Sequence, residues 1–306
     1  MIKKQRFGVE IEFTGITRRK AANIVAKELN SSSSNPTDNC YKTRTITDSK
    51  GRDWKVMRDS SINTMKSDRT YAESGEYSVE LVTPPLNYED IELLQNVVRK
   101  LRESGAITNS SCGIHIHIDG ANHTPESLKR LINFTVSRQD LIHEALEIGA
   151  RGDRWCKKLN AKLLQDVKSN RALTNSSLEQ IWYSASNDGY MSGIDHSHYN
   201  STRYHGINLH SYFSKGTVEF RLFNSTLHAG KIKAYIQFCL ALSAWSITSG
   251  DKVVFRSMNG YTAEQKVTIM RNILTQRLGL FGDEFKTCRL HLMTPLKKNA
   301  EQVRAA

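Results

Sequence analysis

The sequence predicts an α+β protein: a curved, mainly antiparallel sheet forms an active-site bowl, and helices back it. Three observations lead there. Four separate segments alternate apolar and polar residues with the period of two that a half-buried strand requires, and each carries an acid, a histidine or an arginine on its polar side. Between them lie stretches whose apolar residues recur at helical spacing behind hydroxyl-bearing N-caps. A chain of 306 residues, 39% hydrophobic and 24% charged, also has the length and composition for a large folded core.

The first strand is Phe7-Gly-Val-Glu-Ile-Glu-Phe13, with Phe7, Val9, Ile11 and Phe13 on one face and Glu10 and Glu12 on the other. Two carboxylates about 7 Å apart on one face repel each other, so they belong either to a solvated surface or to a cation site. Thr17 can cap a helix over roughly 18–29 with a stripe of Ala21, Ala22, Ile24, Val25 and Leu29, ended by Ser31-Ser-Ser-Ser-Asn-Pro36. Residues 40–58 read as a hairpin around Ser49-Lys-Gly51-Arg, with Trp54 and Val56 on one face, leading into Asp59-Ser60-Ser61. By itself that triplet is an ordinary turn.

A strand over 77–82 puts Val79 and Leu81 on one face and Ser78, Glu80 and Val82 on the other, and Thr83-Pro84-Pro85 stops it. A helix follows at about 88–103. Cys112-Gly-Ile-His-Ile-His-Ile-Asp119 is the second anchor: Ile114, Ile116 and Ile118 face one way, His115, His117 and Asp119 the other. Two imidazoles on one strand face favour a metal or phosphate, although a lone histidine is more often structural. Thr124-Pro125 starts a long helix to about Ile148, and further helices are expected at 154–168 and 176–186 among many basic residues. The aperiodic segment 187–200 reads as a long loop, a common place for function. A strand opens within 203–213, placing Asn208 and His210 opposite Ile207 and Leu209; the Lys215-Gly216 turn leads to Thr217-Val-Glu-Phe-Arg-Leu-Phe223. There Thr217, Glu219 and Arg221 share one side, and a local Glu219–Arg221 ion pair is the plain alternative to a site. Helices at about 229–248 and 263–278 and a less structured basic tail at 286–306 complete the chain. The catalytic domain is expected over 1–250, with a helical insertion at about 124–186 and a C-terminal helical extension with a basic tail at 251–306.

Several function classes lack support. There is no Walker A loop, no Gly-rich dinucleotide fingerprint and no Gly-x-Ser-x-Gly elbow. Cys40, Cys112, Cys156, Cys239 and Cys288 are widely spaced and fit reduced thiols better than a disulfide framework. No apolar signal core precedes the first strand and no run of about 18 apolar residues exists, so a cytoplasmic location is expected, without membrane insertion. The formal net charge of +12 favours acidic partners: nucleotide, nucleic acid, an anionic polymer or an acidic peptide.

If the four strands share one sheet, Glu10, Glu12, Glu80, His115, His117, Glu219 and Arg221 line one concavity. Its carboxylates suit Mg²⁺, and its histidines make Mn²⁺ acceptable. Residue types alone point to a site for a divalent cation and phosphate oxygens, and they permit metal-dependent phosphodiester cleavage or a non-catalytic nucleic-acid or polymer binder.

Phe7-Gly-Val-Glu-Ile-Glu-Phe13, Val79-Glu-Leu-Val-Thr-Pro-Pro-Leu86, Gly113-Ile-His-Ile-His-Ile118 and Val218-Glu-Phe-Arg-Leu-Phe-Asn-Ser-Thr-Leu227 resemble, in order, the signatures of the amidoligase family. That family belongs to the carboxylate-amine ligase superfamily with glutamine synthetase and glutamate-cysteine ligase. The resemblance implies a glutamine-synthetase-like catalytic domain that uses ATP and Mg²⁺, or Mn²⁺, to join a carboxylate substrate to an amine acceptor, with amino acids, peptides or an acidic polymer as partners. It implies Glu10, Glu12, Glu80, His115 and Glu219 as metal ligands, and His117 at the nucleotide phosphates. Arg203 and Asn208 resemble an Arg-Tyr-x-x-x-Asn stretch near the nucleotide, Asp59 and Ser61 a substrate loop, and Arg221 the arginine on the substrate carboxylate or transferred phosphoryl group. Glu12, Glu219 and Arg221 would carry the catalytic role. Glutamine synthetase has more than one glutamate in its central strands, whereas only Glu80 matches here; water, Asp119, Glu73 or Glu76 remain open as a further ligand. The general base is also open, with Asp195, His196 and His198 as loop candidates.

Overall fold

The computed structural model describes residues 1–185, 193–250, 258 and 260–305. Residues 187–192 of the expected loop and 251–257 at the expected start of the C-terminal extension lie outside them. Seven strands form one open antiparallel sheet: β1 (Phe7–Phe13), β2 (Arg44–Thr47), β3 (Asp53–Met57), β4 (Val79–Val82), β5 (Gly113–Asp119), β6 (Ile207–Asn208) and β7 (Thr217–Asn224), in the order β2-β3-β4-β1-β5-β7-β6. The chain divides into two compact units, residues 6–116 with 223–236, and residues 1–5, 117–222 and 237–306.

In the first unit, register decides which side chains share a face. Ile11 lies opposite Leu81, and Leu81 opposite Val56, so the apolar residues of β1, β4 and β3 form one continuous row. That row is fully buried, together with Trp54 and Ile46. Helices α1 (Arg18–Glu28) and α2 (Ile91–Glu103) present Ala21, Ala22, Val25, Leu94, Val97, Val98 and Leu101 as the buried cover. Thr17 caps α1, accepting the Lys20 N–H. Because side chains alternate, the other face carries a second row: Glu12 opposite Glu80, and Glu80 opposite Met57. Thr83 Oγ1 accepts the Val9 N–H at 2.9 Å, holding β4 to β1 where the prolines end the ladder. Gly15, at φ 91°, lets the chain leave β1, since a Cβ there would lie 2.5 Å from the Gly105 carbonyl oxygen.

The second unit is mostly helical: α3 (Pro125–Ala145), α4 (Arg151–Arg154), α5 (Ala161–Ser169), α6 (Asn175–Ala185), α7 (His210–Lys215), the later part of α8 (Ala229–Thr248), α9 (Ala263–Asn272) and α10 (Lys286–Ala305). Thr124 and Thr262 cap α3 and α9 in capping boxes, and Pro125 occupies the first turn of α3. Phe134 and Trp245 pack α3 on α8 with ring centroids 5.0 Å apart.

Three expected elements differ from those found. The helix expected at 154–168 is two, α4 and α5, separated by Asn160, whose side chain caps α5 by accepting the Leu163 N–H. The strand expected after Arg203 is only two residues long, and His210 starts a short helix that ends at Gly216 with φ 75°. The tail expected to be less structured is the 20-residue helix α10, with Pro295 inside it, because Cys288, Leu292, Met293 and Leu296 form a buried stripe. Among the described residues no helix is long and apolar enough to cross a membrane, and no disulfide joins the five cysteines.

Candidate active site

In the first unit the strand faces bring together four of the residues singled out from the sequence. Glu12 and Glu80 are buried and directly opposed across β1 and β4, and His115 on β5 is buried beside them. One ligand atom each from Glu12, Glu80 and His115 lies within 4.8 Å of the others, so this group could hold a metal ion. Neighbouring groups fix the donors. His115 Nδ1 is 2.9 Å from Glu10 Oε2, its Nε2 is 3.9 Å from Glu12 Oε1, and the Gly113 N–H donates to Glu12 Oε2 at 2.6 Å. Two like charges facing each other at a buried register position are costly without a proton or a cation between them. The donor set, hard carboxylates and one imidazole, fits Mg²⁺ or Mn²⁺.

Asp59 and Ser61 also belong to this unit. Asp59 Oδ1 accepts the Ser61 N–H at 2.7 Å, and the Asp59 N–H donates to Ser78 Oγ at 3.1 Å, so the loop is an Asx turn tied to the residue before β4. One carboxylate oxygen of Asp59 is therefore engaged by its own loop.

The second unit carries a separate polar group. Glu219 is buried and receives two donors: Arg221 Nη1 at 2.5 Å on Oε1 and Asn208 Nδ2 at 2.6 Å on Oε2. The Glu219–Arg221 pair is thus a desolvated ion pair, with both side chains 5% exposed, and not the weak surface bridge that spacing alone permits. Asn208 Oδ1 is buried with no hydrogen-bond partner among the described residues, an acceptor left for a cation or a donor ligand. His117 lies on the same side, with Nε2 3.9 Å from Glu219 Oε1 and Nδ1 3.0 Å from Thr217 Oγ1. Ser211 Oγ, 2.9 Å from Thr217 Oγ1, extends this hydroxyl cluster; its place in α7 hid it from strand periodicity.

The loop candidates have structural partners. Asp195 accepts from the Ser197 N–H, the Ser197 hydroxyl and Asn200 Nδ2, and these bonds hold its carboxyl below the usual range. His196 Nε2 is 2.6 Å from Glu179 Oε1. Arg203 Nη1 donates to the His198 carbonyl at 2.7 Å. A buried pair that sequence reasoning missed is Tyr183 Oη with His210 Nδ1, 2.7 Å apart. Burial pushes the Tyr183 hydroxyl up and the His210 imidazole down, with Arg203 and His196 adding to the latter, so both are neutral near pH 7. Only the tertiary fold brings α6 against α7, and no local pattern announces that contact.

The comparison with curated proteins gives no match. The family described as "putative amidoligase enzyme" matches residues 3–243, about four-fifths of the chain and the whole span from β1 through β7 that carries both polar groups. On that match the chain belongs to the amidoligase family, which implies amide-bond ligation between a carboxylate and an amine.

Proposed function

We propose that the protein is an ATP-dependent carboxylate-amine ligase working through an acyl phosphate. The observation that carries this reading is the buried Glu12–Glu80–His115 group in a chain of the amidoligase family. In it Glu12, Glu80 and His115 hold Mg²⁺ or Mn²⁺, with Glu10 orienting His115 and serving as a further ligand. The divalent ion supplies charge neutralisation for the ATP phosphates.

The chain's own residues do the remaining work. In the second unit His117 and Asn208 contact the nucleotide, and Glu219 offers a carboxylate for a metal ion. Arg221, set by its ion pair with Glu219, holds the substrate carboxylate and offsets negative charge as it grows. Asp59 and Ser61 contact the substrate from their turn. The γ-phosphoryl group passes from ATP to a carboxylate oxygen, giving ADP and an acyl phosphate. The amine nitrogen then bonds to the acyl carbon, the C–O bond to phosphate breaks, and the amine gives up a proton. Asp195, His196 and His198 are the loop candidates for the base, Asp195 held by Ser197 and Asn200 and His196 by Glu179.

The test is a thermal-shift titration with MgCl₂, MnCl₂ and ATP. The wild-type protein is expected to be stabilised by the divalent ion and further by ATP, and Glu12→Gln to lose both responses while keeping its fold by circular dichroism. ATP binding that is indifferent to metal and to Glu12→Gln would refute the assignment.

A further inference from the structure

Beyond Arg221, the second unit holds a cluster that ligation of a simple acid would not need. Trp155 and Tyr204, both half-buried, meet edge to face with centroids 5.6 Å apart. Arg154 lies over the Trp155 ring at 4.4 Å; Arg203 and Arg221 lie over Tyr204 at 5.6 and 5.9 Å. Arg151 adds a fourth guanidinium from the same turn as Arg154; it is buried, and its Nε has no hydrogen-bond partner among the described residues.

Arg221 is paired with Glu219, but neither Arg154 nor Arg203 makes an ion pair among the described residues, although Asp153 and Asp195 are acids in the neighbourhood. The arginine charges reach neighbouring groups: burial and then Arg203 hold His210 below its ordinary range against Glu219 and Asp195, and Arg151 and Arg221 oppose the upward push of burial and Asp153 on Cys156. Guanidinium groups gathered at this density favour an oxyanion as counter-charge. Each ring has a guanidinium over it, so the aromatics help hold the arginines in place.

We infer that the ligated substrate carries a second anionic group, seated at Arg154 and Arg203 beside Trp155 and Tyr204, so that it is a di- or polycarboxylate such as an acidic peptide and not a monocarboxylate. This rests on the ligase reading, because it takes Arg221 as the holder of the reacting carboxylate.

The test uses the whole 306-residue chain without ATP and follows tryptophan fluorescence and calorimetry on titration with tri-glutamate, N-acetylglycine and inorganic tripolyphosphate. One additional charge-assisted contact corresponds to about a tenfold gain in affinity. Tri-glutamate is therefore expected to bind about tenfold more tightly than N-acetylglycine. Arg154→Gln, an exposed position, should remove most of that advantage and leave N-acetylglycine within about twofold of wild type; Arg203→Gln should act in the same direction. Equal binding of the two carboxylates overturns the inference. So does an advantage that survives Arg154→Gln, or tripolyphosphate binding tighter than tri-glutamate with the Arg154→Gln loss confined to it, which would assign the cluster to phosphates. Metal-dependent ATP binding, measured separately, reports on the ligase reading whatever the outcome here.

Discussion

Glu12 and Glu80 face each other across the β1–β4 ladder, and that register converts two unremarkable strand glutamates into a strained pair. Like charges directly opposed on a sheet are destabilising by up to about 1 kcal/mol. Glu80→Gln removes one of them, so in chelator-treated protein it should raise the melting temperature by about 2 °C. The same variant should lose the stabilisation by Mg²⁺ that wild type shows. A lowered melting temperature in the absence of divalent ions would contradict the repulsion. Much at this scale was legible beforehand: Glu10, Glu12, His115, His117, Thr217, Glu219 and Arg221 each fall on the polar phase of a clean alternation, and period-two geometry fixes their side without further information. What alternation could not give was partnership. That Asn208 serves Glu219, that Gly113 orients Glu12, or that Tyr183 meets His210 depends on contacts far apart in sequence.

At the scale of elements, the β2–β3 hairpin is fastened by charge as well as by apolar packing. Asp48 in the turn and Asp90 at the start of α2 both bind Arg52, Lys50 reaches Asp90 at 2.9 Å, and Asp90 Oδ2 accepts the Asn87 N–H. Burial alone would raise the Asp90 carboxyl, but its bonds to Arg52, Lys50 and Asn87 hold it well below the usual range. Asp90→Asn should therefore cost about 2 kcal/mol in chemical denaturation at pH 7. Since the folded pKa is depressed, that contribution is present above the unfolded value and fades as pH falls below about 4, so wild type and variant should converge in acid. Helices with hydroxyl caps, α1, α3 and α9, were readable from Thr17, Thr124 and Thr262. Those that were misjudged had contrary local signals. His-Ser-Tyr-Phe-Ser-Lys carries no helical stripe yet forms α7 because Gly216 provides a left-handed stop, and Pro295 reads as a helix end but is absorbed in α10 by the buried side chains around it.

For the whole molecule, two histidines outside the candidate site set the acid limit of the second unit. His123 joins α3 to α8, with Nε2 2.9 Å from Ser243 Oγ and Nδ1 3.0 Å from Ser127 Oγ, and the Ser243 hydroxyl donates to Gln5 at 2.6 Å. Burial, with Arg130 nearby, pushes His123 down to about 4; burial, with Lys158, does the same to His143. Both folded values lie below the unfolded one, so the unfolded chain takes up protons first. Stability is then whole above about pH 6.5 and lost as pH falls toward 4, and His123→Gln should flatten that limb in urea titrations followed across this range. The alternation that located the strands was silent on their order, and β2-β3-β4-β1-β5-β7-β6 came from tertiary pairing alone. The measurement that bears most directly on the ligase reading is isotope transfer during turnover. With Mg²⁺, ATP, hydroxylamine as the amine, and an ¹⁸O-carboxylate library of amino acids and acidic peptides, the protein should release ADP and phosphate only when a carboxylate is present. One ¹⁸O should appear in the phosphate, and Glu12→Gln should abolish the release. ATP hydrolysis independent of any carboxylate, phosphate free of ¹⁸O, or cleavage of nucleic acid without ATP would contradict it.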